Sequence, residues 1–429
     1  MNNKIVNTYF LALFSIIPIS IVVGSAVSVI NILLIDFSFI FLIIYKREYK
    51  FLSNKTVKWI IFFCLYLVFN SLISKDITIG TQRNFGFIRF GILFIAFNYF
   101  FYDKYFLNKV LIVWTTILAV VVVDVYIESF TGKNIFGYGE NYGRRIISFF
   151  KDEPIVGGYL NAFYLIIIGY LFSLNNKYKN IILIVSILIV SAILLTGERS
   201  NGIKALLGFV VFYFYNDSYR FKQKILSFFL FISLMFLLVN SSEYLKLRYG
   251  YQLLKPIISQ LQLNKNLNYD IAGNSTLGNS KVKIDSDTLI KGHTYYRLYN
   301  SGFTVFKQYP IFGVGNKNYR IETCLQKENP IYYCSTHPHQ VYFEFLAEHG
   351  LVGSFILLLI LFYLIFSKVK IILASQNYIQ IGCLAFLLIL FLPLLPSGAF
   401  FGDYSLTLFW INLSIMYSVG KKTNIYSTN

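Results

Sequence analysis

His337 and His339 flank Pro338 immediately ahead of an apolar run, and His349 follows within it, so three of the chain's four histidines share one short stretch. An imidazole titrates near neutrality and is the side chain most often used as a general acid or base. A metal reading fits less well. His337 and His339 are two residues apart, off one helical face, and the sequence holds no His-Glu-x-x-His pattern. The plain alternative is histidines resting at a membrane interface. Pro338 suits the first turn of a helix, with Thr336 or His337 as its cap, which would set His339 at the helix mouth.

Cations stand in three further places. Thr196-Gly197-Glu198-Arg199-Ser200 closes one apolar run and opens the next. An arginine so near a bilayer core must pair, snorkel or serve a ligand. Gly143-Arg144-Arg145 leads through Ile146 and Phe150 to Lys151-Asp152-Glu153-Pro154. That stretch reads either as an amphipathic segment among lipid headgroups or as an anion site, since guanidinium suits phosphate. Arg297 lies on a predicted amphipathic helix, Tyr295 to Phe306, ended by Pro310-Ile311-Phe312-Gly313-Val314-Gly315; a solvated arginine is the simple reading there. Cys324 and Cys334 are the cysteines outside the apolar runs. In an oxidising compartment they would pair and brace the backbone ahead of His337.

The elements that must position these residues are membrane helices. Hydrophobic residues make up 56% of the 429 and charged residues 14%, too few charges to coat a soluble protein of this size. The formal charge of +18 falls in short clusters between apolar runs, which argues for membrane topology and against a nucleic-acid partner. At roughly 20 residues per crossing, the candidate spans are 6–24, 27–45, 57–74, 86–102, 110–129, 155–174, 181–196, 201–216, 225–240, 348–367, 378–396 and 402–419. The expected fold is thus an all-α polytopic membrane protein of about twelve helices. Residues 1–240 would hold nine, 241–347 a large outer loop, and 348–429 three more. Lysine and arginine concentrate in alternate loops, among them Lys46, Arg47, Lys55, Lys104, Lys179, Lys224 and Lys368. Both termini and those loops are therefore expected in the cytoplasm, with the large loop outside.

His339-Gln340, nine residues, Gly350, two residues, Gly353 resembles the histidine motif of the O-antigen ligase and repeat-unit polymerase superfamily. The turn Thr196–Ser200, the helix and Pro-x-x-Gly-x-Gly at Arg297–Gly315, and the stretch Arg145–Gly158 look like three further parts of the family pattern. The resemblance implies a metal-independent, inverting glycosyltransferase of the bacterial inner membrane that needs no cofactor and works on the periplasmic face. Its donor would be a glycan on undecaprenyl diphosphate, and its acceptor another lipid-linked unit or lipid A–core. Membrane lipids, and a chain-length regulator protein, are the further partners it admits. Arg199 and Arg297 would stabilise the departing diphosphate and His339 would take the acceptor proton. Arg144, Arg145, Glu198 and His337 would line the substrate. Such a site requires residues far apart in the chain to converge at the outer water boundary. The Lys151–Pro154 stretch, the Thr-Gly-Glu-Arg turn and the paired cysteines favour a polymerase over a ligase. A lipid-linked sugar transporter is the reading from a different class; the candidate cations gather at the outer mouth, with Arg89 and Lys204 the main exceptions inside predicted helices, which argues against it.

Overall fold

The computed structural model describes residues 3–139, 145–151, 153–251, 294–325, 332–393 and 395–427. The described residues are all-helical, with no strand among them. In chain order the main helices are α1 (Asn3–Ser15), α2 (Ile17–Val23), α3 (Ser25–Lys46), α4 (Lys55–Leu72), α5 (Ile77–Gly86), α6 (Ile88–Phe100), α7 (Lys104–Thr131), α8 (Val156–Leu174), α9 (Lys179–Leu195), α10 (Arg199–Tyr215) and α11 (Phe221–Ser241). They continue as α12 (Thr294–Gln308), α13 (Tyr319–Leu325), α14 (Val341–Phe366), α15 (Val369–Ser375), α16 (Tyr378–Leu390) and α17 (Asp403–Ser418).

Every expected span contains a helix, yet they differ in kind. Six stretches are long and apolar enough to cross a membrane: α3, α4, α7, α8, α11 and Val341–Ser375. The pair α1 and α2 passes the same test jointly, bent by 41°. Pro18 in the first turn of α2 accounts for the bend, because it removes an amide donor and crowds the preceding turn. Helices α9 and α16 are apolar but shorter. Helix α8 is buried on nearly every face and α11 on almost none, so α8 is the central post and α11 faces outward. Helices α8 and α16 cross closely: a Cβ on Gly169 would come within 2.7 Å of the Tyr378 carbonyl carbon. Small residues permit that approach in apolar surroundings.

The contacts sort the helix ends into two groups. At one end Lys46 Nζ meets the Tyr99 hydroxyl (2.9 Å), Lys179 Nζ the Ser218 carbonyl (2.9 Å), and Asn424 the Asn98 carbonyl (2.8 Å). Lys224 there reaches the Phe214 carbonyl at 2.7 Å. These are cations of the loops expected inside. The other end gathers the helix termini that carry the candidate site.

Two local expectations are revised. Residues 145–151 form no helix, and Ile146, Ile147 and Phe150 are buried, so this stretch tucks into the bundle instead of lying along its surface. The helix after the histidines starts at Val341, and its cap is Gln340, whose Oε1 accepts the Tyr342 and Phe343 amides at 2.8 and 3.0 Å. Thr336 and His337 lie too far upstream to cap it. Helix α5 was not anticipated; its apolar content is too low to register as a span.

Candidate active site

The site is assembled around a break in α14. Gly350 has φ +63° and ψ −166°, which interrupts the helical ladder. The Pro310–Gly315 loop fills the gap. The amides of Leu351 and Val352 donate to the carbonyls of Pro310 (2.8 Å) and Ile311 (3.1 Å), while Val314 and Gly315 donate to Ala347 (3.0 Å) and Glu348 (2.8 Å). Backbone groups orphaned by the break are thus paired again, as buried amides and carbonyls must be. The approach is close enough that a Cβ on Gly313 would lie 2.6 Å from the Glu348 carbonyl oxygen. Two glycine motifs far apart in sequence are therefore one joint.

Beyond the joint the chain is clasped by the α4–α5 turn. The Asn316 amide donates to Asn70 Oδ1 (2.7 Å), the Asp76 amide to Asn318 Oδ1 (2.7 Å), and the Lys75 amide to the Val314 carbonyl (2.9 Å). Lys75 also forms an ion pair with the buried Glu322 on α13, which holds its ammonium above the usual lysine range.

The histidines sit above this joint. His339 has φ +57°, a left-handed conformation costly for a residue with a Cβ. Its carbonyl accepts the Ser397 amide at 2.8 Å. The rings of His337 and His339 lie 4.0 Å apart, Thr336 Oγ1 is 2.9 Å from His337 Nδ1, and Tyr295 of α12 presents its ring to His339 at 6.5 Å. Burial lowers both imidazoles. His337 is pushed down to about 3, chiefly by burial and then by the neighbouring His339 and Lys317. Both rings are therefore neutral at neutral pH, the form that accepts a proton. Helix α12 packs here through Tyr299 stacked on Phe343 at 5.3 Å. A disulfide joins Cys324 to Cys334 and ties the end of α13 to the irregular segment leading into His337.

The arginines form a second grouping, at the α9–α10 turn. Glu198 accepts the Gly157 amide (2.6 Å), the Gly158 amide (3.2 Å) and Asn201 Nδ2 (2.6 Å). Its oxygens thereby serve the N-terminus of α8, a positioning task. Burial raises its carboxyl to about 7, against the opposing pull of these donors and of Arg145. Arg248, in the turn after α11, grips the same loop: Nε and Nη2 donate to the Gly197 carbonyl at 3.1 and 2.8 Å. Arg145 and Arg199 both lie within electrostatic range of Arg248; burial, then Arg145 and Arg199, holds Arg248 below the usual arginine range. Arg145 owes its place to two carboxylates of α7. Glu128 accepts the Ile147 and Ser148 amides, and Asp124 the Ser148 hydroxyl. Such a gathering of guanidinium groups is suited to an anion of more than one charge.

Arg297 is exposed on α12, its guanidinium carbon 4.4 Å from the Tyr333 ring centre, on the histidine side. Arg144 lies outside the described residues. The two groupings share one connector, residues 395–404. Ser397 bonds His339; Phe400 and Phe401 amides donate to Glu344 of α14 (2.8 and 3.3 Å). Asp403 pairs with Arg89 (2.5 Å), and the Tyr404 hydroxyl donates to the Ile155 carbonyl at 3.0 Å, beside the Glu198 turn. The structure thus groups Arg145, Glu198 and Arg199 at one turn, and His337, His339 and Arg297 around another. Sequence reasoning missed Arg248 and Lys317. Arg248 reads as an ordinary snorkelling cation after a span; Lys317, directly behind Pro-x-x-Gly-x-Gly, carried a signal of position.

Residues 184–358 match the O-antigen ligase family. The matched region runs from α9 past the joint at Gly350 and contains Arg199, Arg248, Arg297, Lys317, His337 and His339. It supports the O-antigen ligase and polymerase superfamily, and with it a glycosyl-transfer role at a membrane. No curated protein matches the chain.

Proposed function

We propose, on the premise of that family match, that the protein polymerises undecaprenyl-diphosphate-linked oligosaccharide repeats on the periplasmic face of the bacterial inner membrane. Twelve spans with cytoplasmic termini accompany this reading; the lysines gathered at the opposite end of the bundle support that orientation. The observation that carries the proposal is that a grouping of buried imidazoles and a grouping of guanidinium groups are both tied to the connector of residues 395–404.

In the proposed reaction the acceptor hydroxyl oxygen attacks the anomeric carbon of the donor sugar, and His339 receives the hydroxyl proton. The bond from that carbon to the phosphate oxygen breaks in the same displacement, inverting the centre, and undecaprenyl diphosphate departs with the electron pair. Charge accumulates on the diphosphate, where Arg199, Arg145 and Arg248 supply fixed donors; Arg297 serves from the histidine side. Preorganised charge of this kind is worth most where water is excluded. Glu198 holds the N-terminus of α8 against the arginine turn, and His337 packs against His339.

The family's description favours a second reading, a ligase passing the glycan to lipid A–core. A deletion strain separates the two. Loss of a polymerase leaves core capped with one repeat, whereas loss of a ligase leaves bare core and accumulated lipid-linked polymer. Complementation by His339→Ala, Arg199→Ala and Arg297→Ala, at matched protein levels, tests the site. Normal polymer from all three would end the assignment.

A further inference from the structure

Lys317 occupies an unusual position for a lysine. Its φ is +65°, and the chain on either side is clamped: Asn316 by Asn70 and Asn84, Asn318 by the backbone of Asp76. Gly315, two residues earlier, is bonded to the break in α14. A left-handed backbone at a residue with a Cβ persists only when its surroundings over-determine it. Here they do, and the consequence is a half-buried ammonium held within electrostatic range of His337, Glu344 and Glu348.

The simplest role for that charge would be to neutralise the two buried carboxylates. The contacts point elsewhere. Glu344 is already served by the Phe400 and Phe401 amides and Glu348 Oε1 by the Tyr319 amide at 3.4 Å, while the ammonium does not bond even Glu348 Oε2, which has no partner among the described residues. Among the described residues the Lys317 ammonium makes no hydrogen bond or ion pair. The backbone strain therefore places a cation within electrostatic range of His337 with no hydrogen-bonding or ion-pair partner among the described residues. Lysine acts on phosphate as a point charge and needs no fork geometry.

We propose that Lys317 is a substrate-binding cation of the histidine grouping, where it holds a phosphate oxygen of a lipid diphosphate beside His337 and His339. This rests on the lipid-diphosphate reading above, and deepens it by adding a contact that the arginine turn does not provide.

The test uses the purified full chain in detergent and farnesyl diphosphate as the probe, with affinity read by calorimetry. Lys317→Met is expected to weaken binding at least tenfold, and Lys317→Arg to recover most of it. A charge-balanced pair guards against misfolding: Lys317→Met with Glu348→Gln is compared with Glu348→Gln alone. A tenfold difference between those two supports the proposal; equal affinities overturn it. Arg199→Ala separates this inference from the reading beneath it. Weakened binding there with unaltered binding in the Lys317 variants defeats the lysine assignment only. Unaltered binding in both defeats the lipid-diphosphate reading as well.

Discussion

Gly350→Ala is expected to open the joint that holds the candidate site together. At φ +63° and ψ −166° the backbone occupies a region used almost solely by glycine, and placing a Cβ there costs about 1–3 kcal/mol. Space is also absent, since the new carbon would come within 2.5 Å of the Phe312 amide nitrogen and overlap the Ile311 carbonyl. Those are backbone atoms of a loop tied down on both sides, so a side-chain rotation cannot relieve the clash. Relief requires Pro310–Gly315 to move away, which breaks the four hydrogen bonds joining it to α14. At about 0.5–1.5 kcal/mol for each bond, their loss adds several kcal/mol to the conformational cost. The sum is on the order of 3–9 kcal/mol, large for one methyl group. Thermal melting of the detergent-purified protein measures it, with Gly250→Ala as the comparison, because nothing lies within 4 Å of a Cβ there. The same displacement moves Lys317 and the start of α14, so polymer formation should fall with the melting temperature. A Gly350→Ala protein that melts within about 1 °C of wild type would refute the argument, since several kcal/mol cannot hide in so small a shift.

Arg248→Ala should reduce polymer yield at least tenfold at equal protein level, and Arg248→Lys should rescue it poorly, because one ammonium cannot reproduce the Nε and Nη2 grip on Gly197; a glycan ladder on a gel reports both. His337, lowered by burial from an ordinary 6.5 to about 3, binds its proton more weakly folded than unfolded. Its contribution to stability is therefore complete above pH 6.5 and is lost as pH falls toward 3, and His337→Gln should flatten the melting temperature across that window. The Cys324–Cys334 disulfide closes a short loop next to the histidines, so replacing both by serine should cost about 2–3 kcal/mol of stability. In the wild type these two cysteines should take up maleimide only after reduction; equal melting of the two proteins would contradict the stability argument.

What the sequence determined by itself was everything that depends on local composition. Apolar runs such as Ser25–Lys46 and Phe221–Ser241 register because the bilayer sets their length and their content together. The alternation of cationic loops, the cysteines next to the histidines, and the spacing from His339 to Gly353 are equally local. Tertiary structure decided the rest, because it turned on partners distant along the chain. Gly350 shows its purpose only where Ile311 crosses it, and Glu198 becomes a helix cap only against Gly157 and Gly158. Arg248 looks like any cation after a span until its guanidinium reaches Gly197, 51 residues back. The burial of Ile146 and Ile147 was hidden for the same reason: an amphipathic stretch looks alike beside lipid or protein, and only the α7 carboxylates choose between them.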